Sequence, residues 1–189
     1  TATRSIHRLE GPVTVNGIAA TLATLVRPGD RVETGAGAIV VFAVADDAFL
    51  LRSESRLETA GTAAVDVLRL ATGRLLSVFA RRSHRVETAT ATIGIRGTGL
   101  YVEAAPDLTY ACTCYGTVEL ASTTDPGHRE TVTTTRHEAP RYIRADGVME
   151  AAPMQNHSDE ELVMLEALVG RTPPFLPGTG YDSPRRRRY

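Results

Sequence analysis

The sequence predicts an all-β domain followed by one helix and an irregular tail. Up to Leu120, β-branched and aliphatic runs of about four to seven residues alternate with Gly, Asn or Asp roughly every 8 to 12 residues, which is typical of many short strands. No segment in this part has a helical period. A helical pattern occurs only after Ser158. Because a β-sandwich and a β-solenoid share this signature, the pattern alone leaves both architectures open.

Turn residues divide the first 80 residues into these strands. Asn16-Gly17 is a tight-turn signal between two alternating runs, and residues 28–30 form the next turn. Residues 46–47 are a pair of aspartates that we also assign to a turn. Residues 71–73 separate two apolar runs and predict a hairpin. The strands expected between these breaks cover residues 38–44, 49–52, 55–58, 65–70 and 74–79.

Residues 85–120 predict three strands in succession, at 88–95, 99–103 and 109–120. The first two are separated by a segment with Gly97 and Gly99, which suggests positive φ or a close approach of another part of the chain. Cys112 and Cys114, the only two cysteines, lie on the third strand. Because side chains alternate along a strand, both thiols should project from one face.

The sequence after Ala121 has a different character. A Thr-rich strand at residues 130–135 is expected to pair with residues 117–122. Ser158 and Glu161 form a capping box for a helix over residues 159–169, which Gly170 ends. Beyond it the chain is rich in Pro and Gly and ends in four arginines, Arg185 to Arg188, and Tyr189; we predict a solvated tail. The predicted divisions are 1–120 for the β domain, 121–157 for a β extension and 158–189 for the helix and tail.

Composition excludes several classes of function. Of the 189 residues, 42% are hydrophobic and 23% charged, which is ordinary for a globular protein. The net charge of −1 provides no general attraction for nucleic acid, so we expect no nucleic-acid partner. No run approaches the roughly 18 to 20 apolar residues that cross a bilayer, so we expect no transmembrane segment. The chain begins at Thr1, which removal of an export signal would explain.

A series of motifs resembles the FecR-like domain, the periplasmic domain of iron-dicitrate sensors that regulate sigma factors. In order, the motifs are GxVxVNG from Gly11, PGDRVxTGxGA, LRLAxGRL, VxTxxATIGIRGTxxYV and YGxVEL ending at Leu120. The most specific part is Ile95-Arg96-Gly97-Thr98 with Tyr101-Val102. The resemblance implies a short-stranded β-solenoid or β-roll, a periplasmic or other cell-envelope location and a role in signal transduction.

Full regulators of that family also have a cytoplasmic anti-sigma segment, a membrane helix and a segment that touches an outer-membrane receptor. This sequence contains no counterpart of these parts. We therefore expect a binding or assembly module of the bacterial envelope whose partners are other proteins or further copies of itself. A sigma-factor sensor without its amino-terminal segment is an alternative.

Cys112 and Cys114 are the strongest candidates for a functional site. Two residues apart in a strand, their Cα atoms are roughly 6.6 Å apart, close to the upper limit of about 6.8 Å for a disulfide. Two thiolates on one face can instead form half of a zinc or copper site, which imidazole completes. His137 and His157 are the expected partners, with Met154 and His128 in reserve. A disulfide or redox pair, reduced structural thiols and a metal- or haem-associated electron-transfer protein remain alternatives.

The other candidate residues predict no catalytic site, and we expect the protein not to be an enzyme. No Ser-His-Asp or Cys-His-Asp set has suitable spacing. The glycines from Gly94 to Gly99 do not precede a helix, as a phosphate loop requires. His7 and His84 lie beside arginines, and we predict that both are surface groups.

Overall fold

The computed structural model describes residues 5–177 and contains 15 strands and one helix. The prediction of a β-rich protein with one carboxy-terminal helix is confirmed, whereas the predicted arginine tail lies outside the described residues. The elements are β1 (Ile6–Glu10), β2 (Val13–Val15), β3 (Ile18–Ala19), β4 (Arg31–Thr34), β5 (Ile39–Val44), β6 (Asp47–Leu51), β7 (Arg56–Ala60), β8 (Val67–Val78), β9 (Ser83–Glu87), β10 (Ala91–Arg96), β11 (Gly99–Ala104), β12 (Leu108–Ser122), β13 (Arg129–Thr134), β14 (Arg141–Arg144), β15 (Met149–Ala151) and α1 (Asp159–Leu168).

Five strands close a ring in the order β8-β11-β12-β10-β9, and β9 pairs back onto β8. The predicted solenoid is therefore wrong. A solenoid stacks parallel strands of successive coils, but among residues 5–177 only β8 and β9 pair in parallel. The ring can close because β8 and β12 are 12 and 15 residues long. Within the ring, β8 pairs with β9 through its first half and with β11 through its second half. Strand β12 pairs with β11 through its first half and with β10 through its second half.

The hairpin predicted at residues 71–73 is also wrong, because β8 continues through it. Gly73 has φ +100°, and a Cβ there would lie 2.0 Å from the Ser55 hydroxyl. The β7–β8 register shifts opposite this point, between Arg56 and Leu57. The glycine thus bends a long strand from one sheet to the other, which resembles a turn at the level of sequence.

Two other glycine predictions are confirmed. Asn16 and Gly17 have φ of 53° and 79° and connect β2 to β3. Gly97 has φ +65°, and a Cβ on Gly99 would lie 2.5 Å from the Tyr115 ring. One glycine therefore supplies the positive φ and the other the close approach.

The sheet around β6 buries side chains on both faces. Phe49 and Leu51 enter the larger core, whereas Ala48 and Leu50 face a second cluster that α1 covers with Leu162 and Leu165. The helix has the predicted capping box, with Ser158 as N-cap, and contacts β6 and β8. In the described part of the chain, no helix is long and apolar enough to cross a membrane.

Candidate metal centre

The structure brings together the four residues predicted as metal ligands. One ligand atom from each of Cys112, Cys114, His137 and His157 lies within 4.8 Å of the others, and all four residues are buried. We call this set the Cys₂His₂ cluster. The two reserve residues lie elsewhere: Nδ1 of His128 is 3.0 Å from the Gly147 carbonyl, and the Met154 side chain is 46% exposed.

Strand β12 supplies the two candidate sulfur ligands. Both cysteines are free and fully buried, and both belong to the cluster under α1, so they share one face of the strand as predicted. The Sγ atom of Cys114 is 3.6 Å from the Cys112 carbonyl. The fixed ladder between β11 and β12 thus makes this half of the site the rigid half.

The two histidines come from irregular segments on either side of β14 and β15. His137 has φ +59°, and its N–H donates to the Cys114 carbonyl at 3.0 Å. Asn156, directly before His157, also has φ +59°. Residues other than glycine avoid this region at a cost of about 1 kcal/mol or more. His137 and the residue before His157 therefore both adopt left-handed backbone conformations, which cluster at functional sites.

Hydrogen bonds fix which nitrogen of each imidazole points into the cluster. Nδ1 of His157 lies 2.6 Å from the Gln155 carbonyl, which can only accept, so this nitrogen carries the proton. Nε2 of His137 donates in the same way to Asp159 at 2.9 Å. The two remaining nitrogens, each with a lone pair in the neutral ring, face one another at 3.1 Å. Two lone pairs at this distance repel unless a cation or a proton lies between them.

The thiols carry unequal charge. Hydrogen bonding from Cys114 lowers the pKa of Cys112 to about 4; burial opposes this shift, and His137 and His157 add to it. Burial raises the pKa of Cys114 well above its ordinary value, and the neighbouring Cys112 sulfur adds to the effect. Burial would lower the pKa of His137, but hydrogen bonds to Cys112 and Asp159 raise it overall. The cluster thus holds one thiolate, Cys112, beside an imidazole, His137, whose raised pKa favours a positive charge next to that sulfur.

Two of the distances between candidate ligand atoms are close to those around a tetrahedral metal ion, and one ligand atom lies too far away. Zinc bonds of about 2.3 Å to sulfur and 2.0–2.1 Å to nitrogen place two nitrogens about 3.3 Å apart, and sulfur and nitrogen about 3.6 Å apart. The nitrogens are 3.1 Å apart, and Cys112 Sγ is 3.5 Å from His137 Nδ1. The widest separation in the cluster is 4.8 Å, so one ligand atom must move by about 1 Å to complete the tetrahedron.

Comparison with known proteins places two of the ligands inside a recognised domain. Residues 30–119 match the family model described as FecR protein. This part of the chain is a FecR domain. The match confirms the resemblance drawn from the sequence motifs, and it includes Cys112 and Cys114. His137 and His157 follow the matched residues, so the Cys₂His₂ cluster joins the FecR domain to the segment after it.

The fold also resembles two crystal structures, at 1.65 and 2.50 Å resolution, of a protein from Parabacteroides distasonis ATCC 8503 described as a "putative anti-sigma factor". Each has a TM-score of 0.55 and is 13% identical, over 70% of this chain and 62% of that one. At this identity the comparison supports a shared fold over the covered part of the chain. No curated protein matches the chain.

Two further side chains, Tyr101 inside the FecR domain and Asp159 after it, orient the imidazoles, as partners outside the coordination shell do in metal sites. Burial would raise the pKa of Asp159, but hydrogen bonds from Arg136 and His137 lower it overall, so this carboxylate is ionised. Tyr101 stacks on His157 with ring centroids 4.4 Å apart. Sequence reasoning missed both positioning residues, although Asp159 at the start of α1 was visible as a capping acid.

A second buried cluster overturns two predictions. Asp47 and His84, expected in a turn and on the surface, are 0% and 4% exposed. Asp47 accepts hydrogen bonds from the Ala80 N–H at 2.8 Å and from the Arg82 guanidinium. Asp47 and His84 are buried by the pairing of β6 with β8 and by the return of the chain into β9. Neither arrangement can be predicted from local sequence.

Proposed function

We propose that this chain is a FecR-type regulatory module that binds one soft metal ion, zinc or copper, through Cys112, Cys114, His137 and His157. The observation that carries the proposal is the pair of imidazole nitrogens that face each other at 3.1 Å beside a thiolate. Each imidazole donates its other N–H to a carbonyl or a carboxylate, as metal-bound histidines do. Thiolate and imidazole together select zinc or copper over calcium or magnesium.

The decisive experiment is elemental analysis of the full chain purified without added metal. We expect close to one zinc or copper ion per chain, lost in Cys114→Ser and retained in the matched control His128→Ala. Cobalt should also bind and give the absorption of a thiolate complex in the wild type. Metal well below one equivalent that does not change in Cys114→Ser would contradict the proposal.

We also propose that the module works in the cell envelope and acts on a protein partner. The FecR domain and the description of the structural neighbour support this assignment. Cross-linking of the chain in intact cells should capture a protein partner or a second copy. A chain that remains monomeric and uncaptured would count against this part. Sequence upstream of Thr1 would test the alternative of a sigma-factor sensor.

The same cluster contains the arrangement of a catalytic triad, in which a thiol contacts an imidazole and the imidazole contacts a carboxylate. The three residues are Cys112, His137 and Asp159. Such a group needs access to a substrate, yet Cys112 is 0% exposed beneath α1. We therefore propose metal binding rather than catalysis. Slow alkylation of Cys112 by iodoacetamide in the metal-loaded protein would agree, and rapid alkylation would favour a nucleophile.

A further inference from the structure

The Cys₂His₂ cluster joins two parts of the chain that differ in how firmly they are held. Cys112 and Cys114 lie in β12, which pairs with β10, β11, β13 and β14. His157 lies two residues before the first residue of α1. A metal ion bound to all four ligands therefore attaches the start of the helix directly to the FecR domain.

Helix α1 is too short to be stable on its own and depends on contacts with the rest of the chain. It has ten residues, fewer than the roughly 12 to 15 that make an isolated helix even marginally stable. Only two of its apolar side chains, Leu162 and Leu165, are fully buried. Met164 and Leu168 are only partly buried against the same cluster, so polar contacts add to the docking of α1.

Polar contacts connect the helix to the sheet at both ends. Arg52 reaches from the end of β6 to the Asn156 carbonyl at 2.7 Å and to Glu161 at 2.9 Å. Near the far end, Glu166 accepts hydrogen bonds from Tyr115 and, at 2.6 Å, from Arg171. The Arg52–Glu161 and Arg171–Glu166 ion pairs are partly exposed, so water and salt weaken them, whereas the Tyr115–Glu166 hydrogen bond is buried. Cys112 and Cys114 are fully buried and His137 and His157 are at most 9% exposed, so an attachment through a bound metal ion would be better shielded from water than these ion pairs.

The surface beneath α1 is apolar. It consists of Val41, Leu50, Leu76 and Val78, each at most 1% exposed, together with Tyr101 and Tyr115. Release of the helix would uncover these side chains without breaking the ring, which has its own core on the other face of the sheet. Docking of α1 therefore decides whether a large apolar face of the FecR domain reaches solvent.

We propose that metal binding at the Cys₂His₂ cluster locks α1 onto the FecR domain, and that metal loss releases the helix and uncovers the sheet face beneath it. This inference rests on the proposed function, because it assigns a regulatory consequence to the same site. A ligand that binds only the docked form favours that form by the factor 1 + [L]/Kd. Free zinc at 100 times its Kd should therefore favour the docked helix by about 100-fold.

Hydrogen exchange of the full chain tests the inference. With zinc at this excess, the hydrogen-bonded amides of residues 162–168 should exchange about 100-fold more slowly than in a chelator, whereas the amides of β10 and β12 should not change. The outcomes separate the two proposals. Stoichiometric zinc with unchanged exchange in α1 would overturn the lock and leave the metal site standing. Absence of zinc uptake would overturn both.

Linkage supplies a second test that leaves all four ligands intact. Because coupling is reciprocal, Leu165→Ala should weaken docking and thereby weaken zinc affinity by at least about fivefold. The matched control is Ile18→Ala, which truncates a side chain that is 75% exposed and should leave zinc affinity unchanged. Faster exchange in α1 of Leu165→Ala with unchanged zinc affinity would overturn the inference.

Discussion

Two buried clusters in this molecule each place an imidazole near a carboxylate, and they differ in what neutralises them. In the first, the Asp47 carboxylate is matched within the protein by the Arg82 guanidinium. In the Cys₂His₂ cluster, a thiolate and two imidazole lone pairs converge, and the nearby Arg136 is bound to Asp159 on the outer side. The Asp47 cluster contains its own cation, Arg82, and therefore does not need a bound metal ion to balance its charge. A cluster whose lone pairs converge is a candidate set of metal ligands.

The largest expected effect is the loss of zinc affinity when one residue of the Cys₂His₂ cluster is replaced. Structural sites with four ligands bind zinc with a free energy of about 10–16 kcal/mol. Each ligand therefore accounts for roughly a 100- to 1,000-fold increase in zinc affinity. Cys114→Ser should therefore weaken zinc binding by about that factor. Competition with a chromophoric chelator measures the change. An affinity within threefold of the wild type would show that Cys114 is not a ligand.

Removing the carboxylate next to the imidazole in each cluster gives a matched pair of variants. Asp159→Asn should weaken zinc binding by about 10- to 100-fold, because the amide no longer fixes the His137 tautomer. Asp47→Asn should leave zinc binding unchanged, because no ligand touches it. Equal effects of the two substitutions on zinc affinity would remove the distinction between the clusters.

The pH dependence of zinc affinity follows from the ligand pKa shifts. The raised pKa of Cys114 keeps this thiol protonated at neutral pH, so metal binding must displace its proton. Zinc affinity should therefore rise by about tenfold per pH unit near pH 7, and more steeply where His137 is also protonated. Chelator competition between pH 6 and 8 provides the slope. A flat profile would mean that Cys114 enters the site already ionised.

The smallest expected effect is a change in stability without a change in metal content. Asp47→Asn should lower the free energy of unfolding by about 1–2 kcal/mol, because it removes a charge-assisted hydrogen bond to Arg82. This value is modest because the Arg82 side chain is 30% exposed and remains partly hydrated. Chemical denaturation of the metal-free protein measures it. Stability equal to that of the wild type would show that Arg82 is satisfied by water.

Local patterns predicted much of the fold and the ligand set. Strand positions, the turn at Asn16-Gly17 and the capped helix follow from alternation, turn residues and capping residues, which act over a few positions. The grouping of the candidate ligands was predictable because Cys112 and Cys114 must share a strand face. His137 was expected after the strand that pairs with the cysteine strand, and His157 directly before the helix cap.

The remainder depends on contacts between distant segments. The ring closes through pairing of β8 with β9 and β11, and only that closure shows that Gly73 bends a strand instead of ending one. The same long-range packing buries His84 and Asp47, which local sequence places at the surface. The contact between Asp159 and His137 joins residues 22 apart and requires the helix to be docked.

Closure of the ring also restricts how this protein can associate. Each of its five members has a hydrogen-bonded neighbour on both sides, so none presents a free edge for strand addition. Among the described residues, strands with a single neighbour are confined to β1, β3, β13 and β15. Any partner or second copy that extends the sheet must pair with one of those four edge strands. The five strands of the ring are therefore protected from amyloid-like stacking.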